Sequence, residues 1–239
     1  MKGSLRTWRF RYIAATGLLW LAATSACAES IEDLRDLSLD ELANVSVSSV
    51  SKTRQALSDA PAAVFVITHE DIVRSGAATL PEILRLAPNL YVAQSSASAY
   101  TITARGLSGD QGAVDFTNKL LVLIDGRSVY SPFYSGVFWD MQDVLPDDVE
   151  RVEVISGPGA TLWGANAFNG VVNIITRRSG ETQGLLAVAD GGARERSGGL
   201  RYGGRLGETL TARIYLRGYD DDETLTPAGI RAKDDWWRV

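Results

Sequence analysis

VERVEVISGPGATLWGANAFNGVVNIITRR, residues 149–178, sets two short apolar strands around a loop of glycine, alanine and asparagine. Small residues let one backbone approach another, and Gly and Asn tolerate positive φ, so a compact strand–loop–strand unit is expected. A glycine-rich loop between strands also suggests a phosphate cradle. No GK[ST] follows it and no helical run is expected after Gly159-Ala160, which sets a nucleotide-binding reading aside.

Upstream, Leu120 to Ile124 (LLVLI) is an unbroken aliphatic run closed by Asp125-Gly126. That pattern predicts a strand buried on both faces, then a tight hairpin. Ala62 to Ile67 (AAVFVI) predicts another strand. Thr68 is placed to cap a helix, with Asp71 at its third position, His69 facing solvent in its first turn, and Gly76 as its stop. A second helix is expected from Thr79, where Glu82 completes a capping box. Leu80, Ile83, Leu84 and Ala87 follow helical spacing there, and Pro88 ends the run. Val92 to Tyr100 reads as a loop, and Thr101 to Gly106 returns to alternation. Asp140, Asp143, Asp147 and Asp148 flank Pro146 and are expected to cap a turn rather than to form a catalytic pair.

Downstream of Arg178 the pattern changes. In TLTARIYLRGY, residues 209–219, Leu210, Ala212, Ile214, Leu216 and Gly218 share one face, and Thr211, Arg213, Tyr215, Arg217 and Tyr219 the other. Apolar residues toward lipid and polar ones toward a wet lumen, over about ten residues, mark a transmembrane β-strand. Residues 198–206 repeat the pattern, with Leu200, Tyr202 and Leu206 opposed to Arg201 and Arg205, and 183–190 is a weaker first strand. The connection at Gly207-Glu208 is short, whereas 220–233 is long and polar, so the long one is expected on the outer side. Its acidic run, Asp220 to Glu223, reads as a solvated tip. Trp236-Trp237 would open a fourth strand at an aromatic girdle.

Composition narrows the chemistry. The chain has 239 residues, 45% hydrophobic and 22% charged, enough for one or two folded domains. One cysteine, Cys27, and one histidine, His69, leave no disulfide framework and no His- or Cys-based metal or catalytic cluster. Enzymatic chemistry is disfavoured and no cofactor is implied. The N-terminus carries Lys2, Arg6, Arg9 and Arg11, then an apolar run from Tyr12 to Ala23 and an A-x-A site at Ala26-Cys27-Ala28, so residues 1–28 read as a secretory signal peptide. An acylated Cys27 is the alternative. Net charge is −5 and falls further once that basic region leaves, which argues against nucleic acid as a partner. Residues 30–43 read as a short helix or arm, and 44–52 (NVSVSSVSK) as extended backbone too polar for a core strand.

The block at 149–178 resembles the diagnostic (I/V)ERIEV(I/L)xGPxxxLYGxxAxxGVINIIT pattern in the plug domain of TonB-dependent outer-membrane receptors. Glu150-Arg151-Val152-Glu153-Val154, Gly157-Pro158, Leu162-Trp163-Gly164 and Gly170 to Thr176 carry the match. Residues 61–90 are similar to that family's PAAVxVITxEDIxxSGAxTLxEILRxxPGL, with Asn89 at the usual glycine, a change that a left-handed turn tolerates. Ala104-Arg105-Gly106 stands at its IRG element. The resemblance implies an α+β plug, a small mixed sheet with short helices, followed by the first strands of an antiparallel transmembrane β-barrel. The expected division is 29–56 as a periplasmic arm, 57–178 as plug and 179–239 as the start of the barrel. Three strands and a stub do not close, and a plugged barrel of this type takes about 22 strands. The chain is therefore expected to be the N-terminal part of a longer receptor.

The same resemblance implies the partners. Val45, Ser46, Val47, Ser48, Ser49, Val50 and Ser51 stand where the family keeps its TonB box, which adds a strand to periplasmic TonB through backbone hydrogen bonds. Two loops at the outward end of the plug, 94–100 and 130–139, would meet the ligand through Tyr100, Tyr130, Tyr134 and Trp139. Packing against a barrel wall is the other reading of Phe133, Phe138 and Trp139. Arg105 and Arg151 are candidates for ion pairs with barrel acids, although Ser156 replaces the arginine usual before the GP. The implied function is uptake of a scarce ligand across the outer membrane, most simply an iron–siderophore complex, with cobalamin, haem or another metal chelate as further classes. A stand-alone periplasmic binding module with the plug fold is the alternative.

Overall fold

The computed structural model describes residues 46–47, 55–56, 63–105, 118–133, 135–157, 160–164 and 166–239. The signal peptide, the 30–43 arm, and Val45, Ser48, Ser49, Val50, Ser51 and Tyr134 lie outside the described residues.

Strand β1 (Ser46–Val47) pairs antiparallel with β2 (Gln55–Ala56). Strand β3 (Ala63–Thr68) then leads into helix α1 (His69–Ser75). Thr68 and Asp71 cap α1 reciprocally, and Gly76 ends it at φ 66°. His69 is half-buried rather than solvent-facing, because its Nδ1 lies 2.7 Å from the Val149 carbonyl and donates to it. Helix α2 (Leu80–Leu84) starts where Glu82 reaches back to accept from the amides of Ala78 and Thr79.

Strands β4 (Leu90–Gln94) and β5 (Tyr100–Ala104) form a hairpin, so residues 92–94 belong to a strand rather than to the expected loop. Their apolar pattern is poor; the backbone ladder to β5 supplies what the side chains do not. Asn89 does not adopt the left-handed turn expected of it, since Arg105, Asp125, Ser135 and Lys233 are the described non-glycine residues with positive φ. Its amide instead donates to the Ser156 hydroxyl.

Strand β6 (Leu120–Ile124) turns through Asp125-Gly126, both at positive φ, into β7 (Arg127–Ser128). Strand β8 (Val149–Ser156) and strand β9 (Gly170–Thr176) enclose the glycine-rich loop. That loop contains a single helical turn, α3 (Ala160–Trp163), where no helix was expected; four residues are too few for periodicity to announce. The central sheet runs β3-β8-β9-β6-β7, with β6 parallel to β9 and the other pairs antiparallel.

Both faces of this sheet are covered, which is why LLVLI is apolar at every position. Leu120 and Val122 join Ile67, Val152, Val154, Val172 and Ile174 beneath Ile72, Ile83 and Leu84 of the two helices. Leu121 and Leu123 pack on the other face with Ile155, Val171, Ala167 and Trp163.

A second, antiparallel sheet holds β10 (Gly184–Gly191), β11 (Glu195–Leu206), β12 (Leu210–Asp221) and β13 (Trp236–Arg238), in that order. Its two faces differ as the alternation predicts. Leu185, Leu200, Tyr202, Leu206, Leu210, Ile214 and Leu216 are exposed, whereas Arg201 and Arg217 on the opposite face are buried. Among the described residues no helix is long and apolar enough to cross a membrane.

Candidate functional site

The inward face of the second sheet meets the segment that joins β7 to β8, and the contact is ionic. Short 3-10 turns at Trp139–Met141 and Pro146–Asp148 shape this segment, which carries Asp143 and Asp148. Asp148 is 1% exposed, pairs with Arg201 of β11 through Oδ1, and has the Arg213 Nε of β12 3.5 Å from Oδ2. Asp143 lies 3.6 Å from Arg217 and 3.7 Å from Arg238. Arg213 also donates to the Arg177 carbonyl at 2.7 Å and to the Thr176 hydroxyl at 3.0 Å. Arg217 reaches the Ala78 carbonyl, Arg238 the Asp140 carbonyl, and the Tyr215 hydroxyl donates to the Asp143 carbonyl at 3.0 Å.

The seam is therefore held by acids on the central domain and arginines on the wall, the reverse of the polarity anticipated. A carboxylate buried between two guanidiniums has its charge compensated on both oxygens, as a buried charge must. Arg151 spends its charge inside its own sheet, on Glu150 and, at 2.8 Å, on Glu153, which is fully buried. Arg105 is exposed at φ 59°, and its amide leans on the Asn89 carbonyl at 3.4 Å. Alternating arginines on β11 and β12 are visible in the sequence and were the available signal for the seam. What was missing was the pairing of Asp143 and Asp148 with them.

The aromatic candidates separate. Trp139 is 7% exposed and packs in the main core with Val137 and Val144, so it fills space rather than presenting a surface. Phe133 is fully exposed, at the tip of a turn closed by the Ser131–Gly136 bridge. Tyr130 is half-buried just before that turn. Tyr100 packs its ring against the core. Burial pushes its phenol above the ordinary tyrosine value, and the nearby carboxylates of Glu82, Glu195 and Asp221 add to the shift, so Tyr100 stays a neutral hydrogen-bonding group. The structure brings Tyr100 and Trp139 to one region of the seam, beside Tyr219 and Trp236, whose rings are 5.1 Å apart.

Ser46 and Val47 form β1, and Val47 is fully buried. Among the described residues, no group of three or more His, Cys, Asp or Glu side chains could hold a metal ion.

Comparison with known proteins gives a consistent result. The family model "TonB-dependent Receptor Plug Domain" matches residues 56–171. The chain is 34% identical over 188 residues to the ferric enterobactin receptor of Pseudomonas aeruginosa, covering 70% of this chain and 24% of that protein. It is 32% identical over 145 residues to the vitamin B12 transporter BtuB of Vibrio cholerae, covering 60% of this chain and 22% of that one. The chain thus spans about a quarter of the length of these relatives. Two solved structures share the fold. One is the ferric yersiniabactin uptake receptor FyuA of Yersinia pestis, with a TM-score of 0.55 at 23% identity, covering 79% of this chain and 28% of that one. The other is the ferripyoverdine receptor of P. aeruginosa, with a TM-score of 0.58 at 17% identity, covering 75% and 23%. A mixed sheet seated by its acids on the arginine-lined face of an amphipathic antiparallel wall, with this match in sequence and fold, places the chain in the family of TonB-dependent outer-membrane receptors.

Proposed function

We propose that the chain is the plug and first barrel strands of a receptor that takes up a scarce ligand through the outer membrane, an iron–siderophore complex first among the candidates. One observation carries this reading: the second sheet turns an apolar face outward and pins the plug to its other, charged face. A stand-alone soluble module would have no use for seven exposed Leu, Ile and Tyr side chains along one sheet face. The natural neighbour of that face is outer-membrane lipid.

In this reading residues 57–178 are the plug and 179–239 open the barrel, with the plug and its N-terminal arm toward the periplasm. Val45 to Ser51 supply the TonB-binding strand. Energised pulling on that strand would release ligand held at the opposite end, where Tyr130 precedes the turn that carries the fully exposed Phe133 and Tyr100 borders the seam; Tyr134, next to Phe133 in sequence, is the further candidate there. Aromatic groups with a polar tip suit a chelate that presents both rings and oxygens. Of the two candidate arginines, Arg105 rather than Arg151 is the one proposed to meet an acid elsewhere on the barrel. A cobalamin ligand is the second reading, favoured by the likeness to a vitamin B12 transporter.

The test is a strain lacking the full-length gene, grown on single defined iron sources and, separately, on cobalamin. Loss of growth on one ferric siderophore, restored by the intact gene and not by a copy deleted for residues 45–51, is the expected result. Unimpaired growth on every ferric chelate and on cobalamin overturns the proposal.

A further inference from the structure

The connection between β12 and β13 is not a loose loop. Leu225 bridges Arg231, the Thr226 amide donates to the Ile230 carbonyl at 2.8 Å, and the Ala232 amide to the Thr224 carbonyl at 2.9 Å. These bonds fold the connection into a short hairpin, and Asp234 closes its base. Asp234 Oδ1 accepts the Thr224 amide at 2.8 Å, and Oδ2 accepts the Thr224 hydroxyl at 2.6 Å. Oδ2 also accepts the amide of Ala97 at 3.0 Å, from a residue 137 positions earlier in the chain.

Ala97 crowns the turn between β4 and β5. Within that turn the Ser95 amide donates to the Ala99 carbonyl at 2.9 Å, and the Ala99 amide to the Ser96 hydroxyl at 3.1 Å. Those bonds leave the Ala97 amide to Asp234. Ala97 is 1% exposed, and a buried amide without an acceptor is costly. The turn, Ser-Ser-Ala-Ser-Ala, has no large side chain to anchor it and runs directly into Tyr100.

We propose that Asp234 is a positioning residue for the ligand end of the plug: its carboxylate fixes the 95–99 turn, and through it Tyr100, to the long connection of the barrel wall. This rests on the reading of Tyr100 as part of that end. Three donors converge on two oxygens, which a carboxylate accommodates and an amide does not, because asparagine would set an NH2 against an N–H. The same bonds, the Thr224 hydroxyl foremost, hold the Asp234 carboxyl below the ordinary aspartate range.

The experiment is residue-resolved hydrogen exchange on the 239-residue chain in detergent micelles, comparing Asp234→Ala, which removes every acceptor, with Thr224→Val. Asp234→Ala should speed exchange at Ala97 about 10-fold or more, while Thr224→Val, which keeps the bond to the plug, should leave it within about 2-fold. Equal acceleration in both variants, or none at Ala97 in Asp234→Ala, overturns the proposal. A second measurement needs no variant. Because a depressed carboxyl keeps its bonds at neutral pH and loses them as pH falls through its lowered pKa, the Ala97 amide shift in the unaltered chain should follow that titration. A flat Ala97 shift through the carboxylate range overturns it independently. Neither measurement contains a ligand, so a failed growth screen would reject the receptor proposal without touching this bond.

Discussion

Gly170 has no room for a β-carbon: one built there would stand 2.4 Å from the Ile155 carbonyl oxygen, a backbone atom of the neighbouring strand. The glycine lets β9 begin tight against β8, and relief requires strand movement rather than a rotamer change. Gly170→Ala should therefore cost about 1–3 kcal/mol, the usual range for forcing atoms into a packed interior. Gly191→Ala, at the end of β10 with nothing within 4 Å, should cost nothing measurable. Tryptophan fluorescence during denaturant unfolding of both variants checks the contrast, and equal midpoints would remove the steric explanation. Asn89 and Ser156 make a related point. Each departs from the receptor-family pattern in sequence, and the structure joins them by a hydrogen bond across 67 residues.

Among elements, the decisive contact is the 139–148 segment against β11, β12 and β13. Asp148 and Arg201 are both buried, so removing one partner strands the other's charge in a poorly solvated site. Asp148→Ala should destabilise the seated plug by about 3 kcal/mol, and joint replacement of Asp148, Arg201 and Arg213 by apolar residues of similar size should recover most of that loss. Asp147→Ala serves as the neighbouring control. Denaturant midpoints of the three variants in detergent decide it; a triple variant no better than Asp148→Ala would mean the loss was packing and not charge. This contact was only half legible beforehand. The β12 alternation declared Arg213 and Arg217 to be inward-facing, and the DG turn after LLVLI declared the hairpin, because both follow from local periodicity. Local rules also assign Asp143 and Asp148 to turn capping, and nothing within ten residues of them hints at arginines more than fifty positions downstream. For Trp139 the sequence left ligand contact and packing both open, because the residues that share its buried cluster, such as Ile67 and Val152, are distant in sequence.

For the whole molecule, the two sheets have opposite requirements. The central sheet buries both faces and could stand in water, whereas the second buries its charged face on the plug and leaves its apolar face bare. A hydrocarbon neighbour, as proposed, reconciles that arrangement with the hydrophobic effect, since side chains such as Leu185, at 75% exposure, gain nothing from contact with water. Ile214, 73% exposed near the middle of β12, is the position where this can be tested. A lysine at a lipid-facing site near the bilayer midplane costs about 2–4 kcal/mol, and one near the interface about 0–1 kcal/mol. Ile214→Lys should therefore lower partition of the chain into phospholipid vesicles by roughly 30-fold or more, while Thr209→Lys, at the short turn, should change it less than about 5-fold. If the two variants partition alike, the exposed face does not lie in lipid, and the second sheet must be covered by protein instead.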